Sequence, residues 1–196
     1  MISKGQTIEN PVTGEKMTFI ETAASTGGEY TLIELRCDPG GTVAAAHVHP
    51  SQTETFEVVS GILGAKVDGR TITAETGATV IVMPGESHKW WNAGKDELVF
   101  RCEVRPALQF ESLIETMFSL ASDGKTNRKG MPNPFRLAVI ANAHFDTVQL
   151  PLVPAWMQKM ALAMGAPVGK AMGFRPTYAP KAAPATSALV AAHADA

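Results

Sequence analysis

The stretch "GGTVAAAHVHPSQTETFEVVSG", residues 40–61, places two imidazoles and one carboxylate within eight positions. Side chains two positions apart on a β-strand point to the same face, so His47 and His49 project to one side. Glu54 is an odd number of residues beyond His49 and shares that face only if a turn intervenes. Residues 50–52, "PSQ", supply such a turn, and the chain is strand-like again after it. The stretch therefore predicts a strand, a tight turn and a second strand, with three metal-ligand side chains converging.

Length and charge exclude several classes of partner. A chain of 196 residues has room for one domain with an appendage. Its net charge is −2, only 18% of its residues are charged and it has no basic run, so nucleic-acid binding is not expected. Residues 1–17 contain no apolar segment typical of a secretory signal, and no apolar run is long enough to span a membrane. We expect a cytoplasmic protein in which Cys37 and Cys102 are reduced, packed thiols.

Residues 15–106 have the pattern of a β-domain. Short runs rich in β-branched residues, such as "YTLIELRC" and "ATVIVM", alternate with turn residues. Asp68-Gly69 is a two-residue hairpin signal between two such runs. In "LVFRCEV", residues 98–104, every second side chain from Leu98 onward is apolar, which predicts one buried face. These features predict an all-β sandwich or barrel.

The pattern changes after Pro106. Apolar residues recur at helical spacing in three stretches: "ALQFESLIETMFSLAS", "FRLAVIANAHFDTVQL" and "VPAWMQKMALAMG". The last segment is rich in alanine and proline, and we expect it to be a mobile tail. The predicted organisation is a β-domain over residues 1–106, a helical extension over residues 107–175 that packs on it or on a dimer partner, and a tail over residues 176–196.

A second stretch, "GATVIVMPGESHKWWNAG", residues 77–94, completes a recognisable pair of motifs. In it a strand ends at Pro84-Gly85, and His88 begins the next strand. The pattern positions are Gly41, His47, His49, Glu54 and Gly61 in the first motif (residues 41–61), and Gly77, Gly85, His88 and Asn92 in the second (residues 77–92). The pair resembles the two motifs of the cupin superfamily, and the resemblance covers roughly residues 25–106. Pro84 departs from the family pattern by lying one residue late.

The resemblance implies a mainly β fold, a cupin-type jelly-roll β-barrel, here with about three C-terminal α-helices. It also implies a metal site with His47, His49, Glu54 and His88 as ligands. Imidazole nitrogens combined with one carboxylate suit a single divalent ion of iron, manganese, nickel, copper or zinc, and they suit magnesium poorly. The glycines of the motifs would allow positive φ at the corners of the barrel.

Within the superfamily, "HVHPSQTETFEVVSG" and "PGESHKWWNAG" most resemble the quercetin-dioxygenase-like single-domain cupins. That resemblance implies a metal-dependent oxygenase for a small enolisable or aromatic substrate, in which Glu54 is also catalytic and takes the substrate proton. The same barrel serves other functions, so a non-redox cupin stays open as the alternative: an isomerase, a cyclase or a small-molecule sensor.

Three further positions are candidates for the pocket wall. Phe56 lies two residues beyond Glu54, and Trp90 and Asn92 alternate with His88, so all three are expected to face inward; Phe56 and Trp90 would equally suit a plain core. We expect a homodimer, the usual state of the cupins it resembles. The C-terminal helices would form a lid over the pocket, extra core or a dimer interface. We expect His144 and His193 to be structural or solvated.

Overall fold

Ten β-strands and three α-helices make up the described part of the chain, residues 2–179, in a computed structural model. The strands are β1 Thr7–Asn10, β2 Glu15–Glu21, β3 Thr31–Cys37, β4 His47–Val48, β5 Thr53–Ser60, β6 Ile62–Val67, β7 Arg70–Glu75, β8 Thr79–Val82, β9 Ser87–Asn92 and β10 Leu98–Arg105. The helices are α1 Phe110–Ser122, α2 Pro134–Ala143 and α3 Ala155–Ala171.

The strands form two antiparallel sheets. One has six strands in the order β1-β2-β3-β10-β5-β8, and the other has four in the order β4-β9-β6-β7. The predicted mainly β fold with three C-terminal helices is confirmed. Residues alternate along β10 as expected, with the side chains of Leu98, Phe100 and Cys102 buried between the sheets. Val99, on the other face of β10, is buried as well, although the alternation predicted that it would face outward.

Two turns show how the sequence sets the strand connections. Asp68 and Gly69 join β6 to β7, and both have positive φ, 45° and 80°. This is the backbone that a two-residue hairpin favours, because its twist matches the twist of the strands. Gly61 joins β5 to β6 with a φ of 85°, and a Cβ atom there would lie 2.9 Å from the carbonyl oxygen of Glu97. The positive φ angles of Asp68 and Gly69, together with the pairing of β6 with β7, confirm the predicted hairpin at these two residues.

The main core lies between the two sheets. Its largest fully buried apolar side chains are Phe19, Ile33, Leu35, Phe56, Leu63, Leu98 and Phe100. Each such side chain stabilises the fold by roughly 1.5–3 kcal/mol relative to an exposed position. Cys37 and Cys102 are buried free thiols, as the sequence predicted.

A side chain near the start of helix α1 fixes the helix to the segment that connects β2 with β3. The carboxylate of Glu111 accepts hydrogen bonds from the backbone N–H of Ala23, at 2.6 Å, and from the hydroxyl of Thr31, at 2.8 Å. These bonds tie the first turn of α1 to the chain that enters β3. The buried side of the helix, which includes Phe110 and Phe118, then packs towards the barrel.

The other two helices differ in length from the prediction. Helix α2 ends at Ala143 because the following segment leaves the helix to pair with β4, where Val48 and Gln149 form a bridge. Helix α3 continues beyond the predicted end at Gly165 to Ala171. Glycine inside this helix serves close packing, since a Cβ atom on Gly169 would lie 2.4 Å from the carbonyl oxygen of Phe135 in α2.

We expect a Gly169→Ala variant to be destabilised. Alanine gains up to about 1 kcal/mol in helix propensity, but its methyl group would collide with the backbone of α2, and overpacking of this kind costs about 1–3 kcal/mol. Gly165→Ala is the matched control, because its methyl group meets only the Cβ of Ala138, at 3.2 Å. Urea unfolding of both variants checks this, and equal stability of the two would contradict the packing described.

The outer face of α3 is apolar and exposed. Large exposed apolar side chains follow one another there at every fourth position, namely Trp156, Met160, Met164 and Val168, and exposed Leu152 and Met172 lie just before and just after the helix. Trp156 is 63% exposed and Met164 is 71% exposed, whereas Phe110 and Phe118 of α1 are buried, so the helical extension packs on the rest of this chain only in part. The homodimer stays a prediction.

Two sequence-based expectations remain, one about membrane spans and one about the C-terminal tail. None of the helices within residues 2–179 is long and apolar enough to cross a membrane. Of the tail predicted at residues 176–196, the first part packs on α1, where the N–H of Tyr178 donates to the hydroxyl of Thr116 at 3.2 Å. Residues 180–196, including His193, lie outside the described part of the chain.

Candidate metal centre

Four potential ligands meet where the two sheets face each other. His47 on β4 pairs with His88 on β9, Glu54 projects from β5 in the other sheet, and His49 follows β4. One ligand atom from each of the four lies within 4.8 Å of the other three. His49, Glu54 and His88 are buried and His47 is half-buried. The structure therefore brings together all four side chains that the sequence proposed as ligands.

The carboxylate of Glu54 lies between two of the imidazoles. Its Oε2 atom is 2.7 Å from Nε2 of His88, and its Oε1 atom is 3.4 Å from Nε2 of His49. The rings of His47 and His88 are in edge contact, with centroids 4.3 Å apart. The cluster is compact enough for one ion to reach every member.

Backbone carbonyls fix the orientation of all three imidazoles. Nδ1 of His47 lies 3.0 Å from the carbonyl oxygen of Ala45. Nδ1 of His49 lies 2.6 Å from that of Thr147, and Nδ1 of His88 lies 3.3 Å from that of Glu86. A carbonyl oxygen only accepts hydrogen bonds, so each Nδ1 carries a proton and Nε2 is the atom that each ring can offer to a metal.

The Nε2 atoms test whether a metal fits this site. Those of His49 and His88 are buried and face the carboxylate oxygens of Glu54, and neither makes a hydrogen bond of regular geometry among the described residues. Buried polar atoms are nearly always paired, and a bound cation is one explanation for an exception. Imidazoles that donate through Nδ1 and offer Nε2 are also the usual arrangement of metal-binding histidines. The four residues fit a divalent metal ion.

Ionisation of His47 and Glu54 favours the same use, whereas His49 would have to lose a proton, because burial is outweighed by the charge of Glu54, which raises the pKa of that imidazole. Burial, followed by repulsion from His88 and His49, lowers the pKa of His47 to about 3, so this imidazole is neutral at physiological pH. Burial alone would raise the pKa of Glu54, but the neighbouring imidazoles of His49 and His88 outweigh it and hold that pKa well below its usual value. Neutral imidazole and ionised carboxylate are the forms that bind metal.

Gln52 is a supporting residue that the sequence did not reveal. Its Oε1 atom lies 3.1 Å from Nδ1 of His49, and its Nε2 atom donates to the carbonyl oxygens of Pro106, at 2.8 Å, and Ala107, at 3.2 Å. The side chain is fully buried. Sequence reasoning assigned Gln52 only to a turn, because its partners are about fifty residues away and no local pattern points to them.

Replacing Gln52 with methionine is expected to weaken metal binding by about 10–100-fold, the usual cost of losing a partner that orients a ligand. Methionine keeps the length of the side chain but gives His49 no comparable acceptor. Titration against a competing chelator measures the affinity. Ser51→Ala, in the exposed neighbouring position, is the control and should bind as the wild type does. Unchanged affinity in Gln52→Met would show that Thr147 alone orients His49.

A cavity of about 530 Å³ opens beside the cluster. His47, His49 and Glu54 form part of its wall, and most of the remaining wall is apolar, with contributions from the barrel and from all three helices. Phe56 and Trp90 line the cavity, as expected of pocket residues. The helical extension therefore covers this cavity.

Asn92 and His144 lie apart from this wall. The side chain of Asn92 donates to the carbonyl oxygens of Cys37, at 2.9 Å, and Asp96, at 2.8 Å, and accepts from the N–H of Gly94. It fastens a loop at the end of β9 and is not one of the residues that line the cavity. His144 is buried at the end of α2, where its Nδ1 atom lies 2.9 Å from the carbonyl oxygen of Ile140, which agrees with a structural role.

Besides the proposed ligands, three buried polar residues that the sequence analysis missed line the cavity: Asn10, Glu15 and Gln158, whose amide donates to the carbonyls of Leu150 and Val153. The sequence did contain a signal for one of them. Glu15 shares the inward face of β2 with Met17 and Phe19, and a carboxyl on an otherwise apolar face needs a specific reason.

Comparisons with known proteins agree with this fold. Residues 34–103 match the family model described as the cupin domain. A probable oxidoreductase, virH, of Hypocrea virens is 27% identical over 145 residues, which cover 67% of this chain and 64% of that relative, so the chain matches less than two thirds of its length. An oxidoreductase, iacF, of Pestalotiopsis fici is 24% identical over 163 residues, covering 76% of this chain and 78% of that one.

Solved structures with a similar fold are more distant. A predicted oxalate decarboxylase from Thermotoga maritima has 19% identity and a TM-score of 0.47, covering 54% of this chain and 99% of its own. KdgF from a Halomonas species has 12% identity and a TM-score of 0.46, covering 53% of this chain and 91% of its own.

Proposed function

We propose that this chain, which carries a cupin domain over residues 34–103, is a metal-dependent oxygenase for a small enolisable or aromatic substrate. One observation carries the proposal. The unpaired, buried Nε2 atoms of His49 and His88 face the carboxylate of Glu54 beside a largely apolar cavity. The names of the two curated relatives, both oxidoreductases, support the class of reaction.

His47, His49, Glu54 and His88 would hold the ion. Three imidazoles and one carboxylate suit divalent iron, manganese, nickel, copper or zinc. A redox-active member of this group supplies Lewis acidity towards an enol or phenol oxygen and electron transfer towards dioxygen. The chain contributes the geometry, because the carbonyls of residues 45, 86 and 147 already fix the three rings.

Glu54 acts as the base in this proposal. It lines the cavity, so its carboxylate is within reach of a substrate lodged there. We assign the proton to Oε1, because its nearest imidazole nitrogen, Nε2 of His49, is 3.4 Å away, whereas Oε2 lies 2.7 Å from Nε2 of His88.

The cavity wall selects the substrate and excludes water. Phe56 and Trp90 approach the site from the barrel, and Phe110 approaches from α1, where its ring centroid lies 6.3 Å from that of His49. A dry, apolar surrounding strengthens electrostatic interactions between the site and a bound anion. The same wall favours flat aromatic or alkyl substrates over sugars or other strongly hydrated compounds.

Metal analysis of the purified protein and oxygen uptake test the proposal. Protein loaded with each redox-active ion in turn is given a flavonol or a β-diketone, and oxygen consumption is followed. Glu54→Gln should lower the rate by about 10²–10⁴-fold, the usual contribution of a general base. Glu57→Gln, on the exposed face of the same strand, should not change it. No uptake with any ion and either substrate class would contradict the oxygenase and favour a non-redox isomerase, cyclase or sensor.

A further inference from the structure

A second polar group faces the cavity away from the metal ligands. Glu15 on β2 pairs with Cys37, which pairs with Leu98 at the start of β10. Glu54 instead pairs with Val104, near the other end of β10. The two carboxyl groups therefore line one cavity at positions level with opposite ends of the same strand.

The wall between these positions offers little hydrogen bonding. The side chains that line it there come from the inward faces of four neighbouring strands: Met17, Ile33, Leu35, Phe56, Phe100 and Cys102. A ligand that reached from one end to the other would therefore need an apolar middle. Polar recognition would be confined to its two ends.

Hydrogen bonds within the chain use only part of the polar capacity of Glu15 and Asn10. Glu15 is 5% exposed, and its Oε2 atom accepts from the hydroxyl of Thr13. Asn10 is 4% exposed, and its Oδ1 atom accepts from the N–H groups of Val12 and Thr13. These bonds, formed among residues 2–179, do not use Oε1 of Glu15 or the amide donors of Asn10. An acceptor and a donor thus remain for a ligand in the cavity.

We propose that Asn10 and Glu15 bind a hydroxyl group at the end of the substrate remote from the metal. The inference rests on the proposed function, because it assumes that the other end is held at the metal centre. It narrows the substrate class to elongated compounds with a chelating enol or phenol head, an apolar middle and a distal hydroxyl. A hydroxyl both donates and accepts, which matches the carboxyl of Glu15 beside the amide of Asn10.

Ionisation of Glu15 agrees with this use. Burial, only partly offset by the hydrogen bond from Thr13, raises the pKa of Glu15 to about 7. A carboxyl that is partly protonated at neutral pH has a smaller desolvation cost in an apolar cavity than a fully ionised one. A neutral hydroxyl is accordingly a better partner than a second carboxylate, which the site would repel.

Chelating probes of graded length test the assignment on cobalt-loaded protein. Straight-chain hydroxamic acids bind the ion through their heads, and the visible spectrum of cobalt reports that binding. Each length is supplied in a methyl-terminated and a hydroxyl-terminated form. At the length that spans the cavity, the wild type should prefer the hydroxyl-terminated probe by about tenfold, the value of one good hydrogen bond.

Variants separate recognition from a structural role. Glu15→Leu should lose the preference while it still binds the methyl-terminated probe. Thr13→Val removes the internal partner of Glu15 but not its carboxyl, so it should keep the preference. If Glu15→Leu does not fold, the dependence of the wild-type preference on probe length still decides the matter.

The experiment distinguishes a wrong assignment of the distal hydroxyl site from a wrong metal centre. Equal binding of both probe forms at every length, or an unchanged preference in Glu15→Leu, would overturn the assignment of Asn10 and Glu15 alone. If neither probe form changes the cobalt spectrum at any length, the metal centre of the proposed function is wrong, and the assignment falls with it.

Discussion

His88→Ala is expected to lose the metal and also to destabilise the protein when no metal is present. His88 offers one of the two unpaired Nε2 atoms, so its loss should reduce metal affinity by more than the roughly 10–100-fold that an orienting partner is worth. Its second effect arises because, without a metal, Nε2 is the nearest nitrogen to the buried carboxylate of Glu54, at 2.7 Å, and a proton on Nε2 turns this contact into a charge-assisted pair. Removing one partner of a buried ion pair costs about 3–5 kcal/mol.

His47→Ala is the matched control for these two effects. His47 is also a proposed ligand, but its neighbours His49 and His88 repel its charged form, and burial keeps its ring neutral. Its removal should therefore weaken metal binding without a comparable loss of stability in the metal-free protein. Chelator competition and urea unfolding of both variants measure the two effects. Equal destabilisation by the two substitutions would contradict the pairing of His88 with Glu54.

Glu15→Gln is expected to stabilise the metal-free protein at neutral and alkaline pH relative to the wild type. The carboxyl of a solvated glutamate has a pKa of 4.5, whereas that of Glu15 has a pKa of about 7 in the folded protein, so folding favours its protonated form. The resulting stability is fully present below pH 4.5 and is lost as the pH rises through 7. The rise of this pKa from 4.5 to about 7 corresponds to about 3 kcal/mol in the free energy of unfolding.

The ionisable groups near Glu15 do not obscure the pH range over which the stabilities of wild type and Glu15→Gln diverge. Burial, then the charges of Glu15 and Asp38, raise the pKa of the Cys37 thiol to about 12, above the range of interest. Contributions from His49 and Glu54 are common to both proteins and cancel in the difference. Urea unfolding between pH 4.5 and about 8 measures the divergence, with exposed Glu57→Gln expected to follow the wild type. Parallel curves for wild type and Glu15→Gln would contradict the buried carboxyl.

The sequence predicted that the side chains of the proposed ligands would converge, because most of the information for this convergence is local. His47, His49 and Glu54 fall within one strand–turn–strand unit, where the period of the strand decides which side chains share a face. His88 needed the second motif and the resemblance it carries. That these residues hold a metal stays a prediction, but their convergence in one cluster follows the expected geometry.

Features that depend on distant contacts could not be predicted in this way. The partners of Gln52 lie after β10, and the acceptor of His49 lies between α2 and α3. Strand parity placed Asn92 on the inward face correctly, but parity says nothing of depth, and the side chain fastens a loop at the end of the barrel. The end of α2 was missed for a similar reason, because pairing with Val48 competes with the helix there.

The segment after α2 makes the helical extension a working part of the metal centre. Val48 and Gln149 exchange two backbone hydrogen bonds, at 3.0 and 2.9 Å, and the next residue along, His49, donates to the carbonyl of Thr147. Thermodynamic linkage is reciprocal, so an ion bound to His49 would also stabilise the closed form of residues 147–149, and loosening that segment would lower the affinity for the ion. The border at Pro106 thus separates two kinds of secondary structure that are joined by hydrogen bonds at the proposed ligand His49.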